Sequence, residues 1–413
     1  MDYIPKARTE DYSYDLPEKR IAKYPLEERD KSKLLVADAG SEKISHHTFS
    51  DMPELLPANS LLVVNNTKVI QARFNMLKPT GGKAEILCVE PREPSRDPQI
   101  AMKTKNRAKW ICIVGGRKVI EGLTLSPSGD NHNDLSATIL ERTENEALVE
   151  FSWKGDLTFS EIVEEMGKIP LPPYIKRDAE EKDKSTYQTV YAEKEGSIAA
   201  PTAGLHFTEA VIEKIKTKGI DFAEVVLHVG PGTFKPVESD DISRHEMHSE
   251  RISVTKELIE RLISQLDNKN KIIATGTTSL RTLESIYWIG ALIHSGEIES
   301  LNFRGYTPKQ WDAYRLAHEV NLPSSLESLK SILGLLEKEN RNELVSYTQL
   351  LIVPGYEFRL VDALITNYHL PKSTLILLVA AFVGNEFWRE IYKEALENDY
   401  RFLSYGDSSL LIR

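Results

Sequence analysis

Between residues 84 and 153 the chain offers five short apolar runs in succession: "AEILCVE" at 84–90, "KWICIVGG" at 109–116, "LTLS" at 123–126, "LSATILE" at 135–141 and "ALVEFSW" at 147–153. Apolar residues alternate in several of them, turn signals such as "TGG", "GGR" and "SPSGDN" punctuate them, and no helical pattern intervenes. Strands without helices between them must pair with one another, which predicts a small antiparallel β-barrel. The flanks read differently. Residues 11–71 and 158–413 mix apolar strands ("SLLVVNN", "DFAEVVLHVG", "KIIATG", "DALITNY") with helical patterns such as "TEAVIEKIKTKG" and "TKELIERLISQL", the texture of a layered α/β domain. The expected organisation is an α/β main domain over 1–71 and 158–413, with a barrel domain inserted at 72–157. Residues 291–346 look like an extra helical insertion. Ser324 and Glu327 have the spacing of a capping box, and Leu326, Leu329, Ile332, Leu333 and Leu336 follow at helical spacing.

Charge follows the same division. The 413 residues carry a net charge of −10, yet residues 61–125 hold twelve Lys and Arg against five Asp and Glu, so this segment is +7 and the rest −17. A basic module on an acidic body is a footprint for a polyanion, and a solvated lysine-rich surface is the other reading of the same charge. Cys88 and Cys112 lack Cys-x-x-Cys spacing, which suggests neither a zinc site nor a disulfide framework and fits a reducing cytoplasm. The start of the sequence lacks the pattern of a secretory signal. The longest apolar run, Leu375–Gly384, is about half the length that spans a bilayer, so no membrane role is expected.

Histidines carry the sharpest chemical signal. His206 lies in "GSIAAPTAGLHF", His228 in "LHVGPGTF", His245 and His248 in "RHEMHSE" and His369 in "NYHLP", loops in which glycine allows close backbone approach and proline fixes direction. Each alone is as readily a hydrogen-bonded structural histidine. "KIIATGTTSLRTLES" reads strand, then Gly-Thr-Thr-Ser, then helix, an arrangement that aims N–H groups and the hydroxyls of Thr277, Thr278 and Ser279 at an anion, or that merely caps a helix. Asp407, in "SYGDSS", is placed to orient a histidine or a ribose hydroxyl. Asp362 stands in "LVDALITNYHLPKSTL" with Asn367 and His369. There is no G-x-G-x-x-G after a strand and no P-loop, and the paired histidines of "HEMH" have no further ligand to complete a metal site.

Long stretches resemble the S-adenosylmethionine:tRNA ribosyltransferase-isomerases of queuosine biosynthesis: "GSIAAPTAGLHFTEAVIEKIKTKGI", "LHVGPGTFKPV", "HEMHSER", "GTTSLRTLES", "PGYEFRLVDALITNYHLPKSTLILLVAAFVG" and "YRFLSYGDSSLLI". "SYDLPEKRIAKYP", "LLVVNNTKVIQARF", "GGKAEIL" and "GKIPLPPYIKR" match in the same order. The resemblance covers nearly everything outside 1–10 and 291–346. It implies a cytoplasmic, metal-free monomer of an α/β domain and an inserted barrel. The implied reaction transfers the ribosyl part of S-adenosylmethionine to 7-aminomethyl-7-deazaguanine at the wobble position of tRNA and isomerises it, giving epoxyqueuosine and releasing adenine and methionine. The rival readings are a noncatalytic tRNA-binding module and an S-adenosylmethionine-dependent RNA methyltransferase.

On that reading the candidate catalytic residues are His206, His228, His369, Asp362 and Asp407. A positive sulfonium acidifies the ribose C5′ protons, so a base titrating near working pH suits, and His206 at the rim of the small-residue loop is the first choice. Candidate S-adenosylmethionine contacts are Pro201, Thr202, Gly204, Phe207 (as an aromatic platform), Gly230, Gly232, Thr277, Thr278 and Ser279. Candidate tRNA contacts are Lys68, Arg73, Lys83, Arg117, Lys118, Lys176 and Arg177.

Overall fold

The computed structural model describes residues 3–129, 133–230, 239–301, 308–318 and 322–413. The main-domain strands are β1 (Lys33–Asp38), β2 (Lys43–Thr48), β3 (Leu61–Asn65) and β4 (Thr67–Val69). The barrel supplies β5 (Arg73–Leu77), β6 (Lys83–Glu93), β7 (Arg107–Gly115), β8 (Thr124–Pro127), β9 (Ser136–Arg142) and β10 (Ala147–Ser152). The main domain resumes with β11 (Lys194–Ser197), β12 (Asp221–Leu227), β13 (Glu250–Thr255), β14 (Ile272–Thr275), β15 (Glu343–Thr348), β16 (Ala363–Asn367) and β17 (Ser408–Ile412). Among these residues nine strands form one sheet in the order β15-β13-β12-β3-β14-β16-β17-β1-β2, β11 pairs with β4, and six form a closed barrel in the order β10-β7-β6-β5-β8-β9.

Four central strands, β12, β3, β14 and β16, run parallel, with antiparallel pairs on either side. Both faces of a parallel centre must be covered, and β3 shows it. Leu61 and Val63 enter the core beneath the helix Gly276–His294, while Leu62 and Val64 enter the opposite core with Phe207, Val211 and Ile215. The layered α/β fold is therefore present. The capping box of Ser324 and Glu327 opens the helix Ser325–Lys338, where Ser328 donates to the Tyr287 carbonyl at 2.6 Å. The segment 291–346 is not wholly helical, because it begins inside the helix ending at His294 and ends in β15.

The barrel follows the alternation of its sequence. Ala108, Trp110 and Cys112 of β7 point inward between partly exposed neighbours. The helix Phe159–Met166, opened by a Thr158–Glu161 capping box, sends Phe159 against Trp110 at 5.3 Å and Phe151 at 5.4 Å. Cys88 and Cys112 are register partners on β6 and β7, both buried free thiols. The strand β5 was not among the five apolar runs, because in "RFNML" only Phe74 and Met76 face the core. No helix among the described residues is long and apolar enough to cross a membrane.

Candidate active site

The carboxyl ends of parallel strands are where an open α/β sheet leaves a crevice, and here three chain segments leave β12, β14 and β16 at that edge. They carry His228, Gly276–Thr278 and Asn367–His369. Val229 of the first segment and the other two segments, together with the loop Ala199–Ala203, Tyr174 and Ser404, line an open-mouthed cavity. Ser197 ties two of these segments by donating to the Ala199 carbonyl at 2.8 Å and accepting from Val229 N–H at 3.0 Å.

Pro201, Thr202, Thr277 and Thr278, four of the candidate S-adenosylmethionine contacts, line this cavity. Among the described residues the helix that starts at Gly276 has no side-chain cap, and the buried hydroxyls of Thr275, Thr278 and Ser279 have no hydrogen-bond partner. Uncapped N–H groups beside unpaired hydroxyls form a receptor for a carboxylate or phosphate. Ser279 itself is fully buried outside the lining.

His206 sits behind the cavity wall. Asn367 donates through Nδ2 to the Leu403 carbonyl at 2.9 Å, so its Oδ1 accepts from His206 Nε2–H at 3.2 Å. That leaves Nδ1 to accept the Ser32 hydroxyl at 2.8 Å. Both ring nitrogens are engaged, and the ring lies on Phe49. Burial lowers its pKa to about 4. The histidine that lines the cavity is His369, whose Nε2 lies 3.0 Å from the Thr366 hydroxyl. That hydroxyl also donates to the Asn367 carbonyl at 3.4 Å, which makes Nε2–H the donor and leaves Nδ1 with no protein partner among the described residues. Burial alone lowers its pKa to about 3. His228 donates from Nδ1 to Thr67, whose hydroxyl is spent on the Lys194 carbonyl, and faces a second crevice between the barrel and the sheet. Burial lowers it to about 3. The expectation of a histidine titrating near working pH gives way to three neutral rings, because burial disfavours the charged form of each.

Other candidates lie elsewhere. Asp362 pairs with Lys271 at 2.8 Å at the opposite end of β16, one strand length from His369. Asp407 accepts from the Arg401 N–H at 2.8 Å and its guanidinium at 3.0 Å, which shapes the turn before β17. Phe207 is buried in the core against Phe49, so it offers no platform. Gly204 is bare because Tyr191 and Thr189 fill the space its side chain would need. Gly230 lines the crevices toward the barrel, and Gly232 lies outside the described residues. Sequence reasoning missed Tyr174, the aromatic wall of the cavity, whose phenol bonds Ser404 at 2.7 Å. The signal was the proline run Pro170, Pro172 and Pro173, which stiffens the approach to it.

Lys83, Arg117 and Lys118 gather at one end of the barrel, where Lys78 donates to the Arg117 carbonyl at 2.7 Å. The other four basic candidates are engaged: Lys68 with Glu195, Arg73 with Glu85, Lys176 with Glu18, and Arg177 in a two-pronged pair with the buried Asp183. For Asp183, burial opposes ionisation, yet Arg177, the Glu180 N–H and the Tyr405 phenol together hold its pKa below the ordinary value. Among the described residues no cluster of three His, Cys, Asp or Glu could hold a metal ion.

A parallel-centred α/β sheet, an inserted barrel and a cavity walled by small residues at the strand ends define the class of protein. The chain belongs to the family described as queuosine biosynthesis proteins, which matches residues 9–411. It is 40% identical over 98% of its length to the whole of the S-adenosylmethionine:tRNA ribosyltransferase-isomerase of Thermotoga petrophila, and 39% identical over 98% to nearly all (99%) of that of Francisella philomiragia. A crystal structure of an S-adenosylmethionine tRNA ribosyltransferase from Thermotoga maritima aligns over 97% of this chain and 100% of that one, at 32% identity with a TM-score of 0.46.

Proposed function

We propose that this chain transfers the ribosyl moiety of S-adenosylmethionine to 7-aminomethyl-7-deazaguanine at the wobble position of tRNA and isomerises it, releasing adenine and methionine. The observation that carries the reading is the pairing within one cavity of an uncapped helix start at Gly276 with His369, whose Nδ1 has no protein partner among the described residues. The activity for which relatives matched over 98% of the chain are named supports it.

In this reading S-adenosylmethionine is the substrate of the cavity. The helix start and Thr278 take its carboxylate, the side-chain-poor loop Ala199–Ala203 lets its flat parts lie close, and Tyr174 stacks on a ring. The sulfonium acidifies C5′, and His369 Nδ1, neutral because buried, takes that proton. The modified base, out of its stack, comes from the barrel side past Val229, which lines both cavity and crevice. Lys83, Arg117 and Lys118 hold its phosphates. Residues 72–157 are then the RNA-gripping domain, and 1–71 with 158–413 hold the chemistry. No step calls for a metal, and we place the activity in a cytoplasmic monomer.

The test is incubation with S-adenosylmethionine and tRNA bearing the aminomethyl base. Adenine and methionine release supports the reading. S-adenosylhomocysteine would make the chain a methyltransferase, and binding without turnover would make it a tRNA-binding module.

A further inference from the structure

The backbone of His369 is held from two sides by phenols that come from distant parts of the chain. Tyr14, in the N-terminal segment, donates its hydroxyl to the His369 carbonyl, and the His369 N–H donates to the Tyr392 oxygen at 3.1 Å. Tyr392 lies on the helix Phe387–Glu397, and the two rings meet edge to face with centroids 5.1 Å apart. Neither ring lines the cavity. Tyr392 also packs on Tyr368, the residue before His369, at 5.3 Å.

We propose that Tyr14 and Tyr392 are positioning residues that aim the His369 ring into the cavity. The inference rests on the role given to His369 above. A loop residue set after a strand end is free to pivot about its own peptide. Hydrogen bonds to both the N–H and the C=O of His369 fix the peptide groups on either side of it, and Thr366 then fixes the ring. A misplacement of about 1 Å is enough to lose roughly 10²-fold in rate. The clamp also sets the surroundings of the ring. The titratable groups packed around it are Tyr14, Tyr392, Tyr368 and, across the cavity, Tyr174, and burial raises the pKa of all four phenols, so they stay neutral. Lys372, three residues on, is paired with Glu10.

Tyr392→Phe and Tyr14→Phe test the proposal without removing either ring. Each is expected to keep S-adenosylmethionine affinity within about threefold and to lower kcat by about 10-fold or more. An acid limb should also appear in kcat between pH 5 and 6.5, because a loosened, rehydrated His369 moves from about 3 toward its ordinary value. Unchanged kcat and an unchanged pH profile in both variants, while His369→Gln is inactive, would overturn the positioning role and leave the His369 assignment standing. Full activity of His369→Gln would overturn both. If one phenylalanine variant fails to fold, the other decides.

Discussion

A methyl group on Gly204 would stand 2.0 Å from the phenol oxygen of Tyr191 and 2.7 Å from Cγ2 of Thr189. Tyr191 is wedged between Phe207 and Phe222 and cannot swing away. Gly204→Ala is therefore expected to cost about 1–3 kcal/mol of stability by overpacking, read as a fall in the urea midpoint. A variant as stable as the parent would show that the loop bends to make room.

His206→Asn should act through its neighbours. It strips Ser32 and Asn367 of buried partners, at about 1–3 kcal/mol each, and lets Asn367 move in the cavity wall. The expected result is lower thermal stability together with lower turnover. Loss of turnover by about 10⁴ with unaltered stability would instead give the ring a direct part in proton transfer.

At Tyr174, replacement by Phe keeps the ring and loses the bond to Ser404, whereas Ala removes the wall. Titration with S-adenosylmethionine should show Tyr174→Phe within about threefold of the parent and Tyr174→Ala weakened roughly 5- to 13-fold, the worth of an aromatic contact of about 1–1.5 kcal/mol. Equal affinity in both variants would remove the ring from the ligand's surroundings.

Arg117 and Lys118, among the described residues, form no ion pair within the chain, so phosphates have no competitor there. Replacing both with Ala should weaken tRNA binding and flatten the slope of log affinity against log salt by roughly 1–2. S-adenosylmethionine binding should not change. An unchanged slope would turn this end of the barrel away from RNA.

Acid sensitivity follows from the three neutral histidines. The unfolded chain takes up protons on them near pH 6.5, whereas burial delays uptake in the folded state to about 4 for His206 and about 3 for His228 and His369. Their stabilising contribution is thus complete above 6.5 and declines as pH falls toward 4. With up to three protons involved, the limiting slope is about 4 kcal/mol per pH unit. Urea unfolding at pH 7, 6 and 5 checks this, and His369→Gln should lessen the slope by about a third. A stability independent of pH over that range would contradict it.

The barrel was legible because alternation is a local property, as Ala108, Trp110 and Cys112 illustrate, and the capping box at Ser324 was legible for the same reason. The cavity was legible only in part. The bare stretch around Gly204 looked like a ligand floor, but its emptiness is filled by Tyr191, and nothing in the loop's own residues records that neighbour. Asp362 stood close to His369 in sequence, yet a strand places them at opposite ends of the sheet. Arg177 was a candidate tRNA contact, yet Asp183, six residues later, holds its guanidinium in a two-pronged pair. Partners chosen by folding decide such roles, and residue type alone does not.

The strand β17 lies between β16 and β1 and pairs with both. It therefore joins the β1–β2 hairpin to the rest of the sheet, although its residues 408–412 are made some 370 residues after β1. During synthesis the first hairpin must wait, with Leu34 and Leu35 exposed, until those five residues leave the ribosome. The barrel, whose partners are nearly all local, can close long before. Folding should then proceed with the insertion complete and its host still open, and the sheet should form slowly, as expected where contacts span most of the chain.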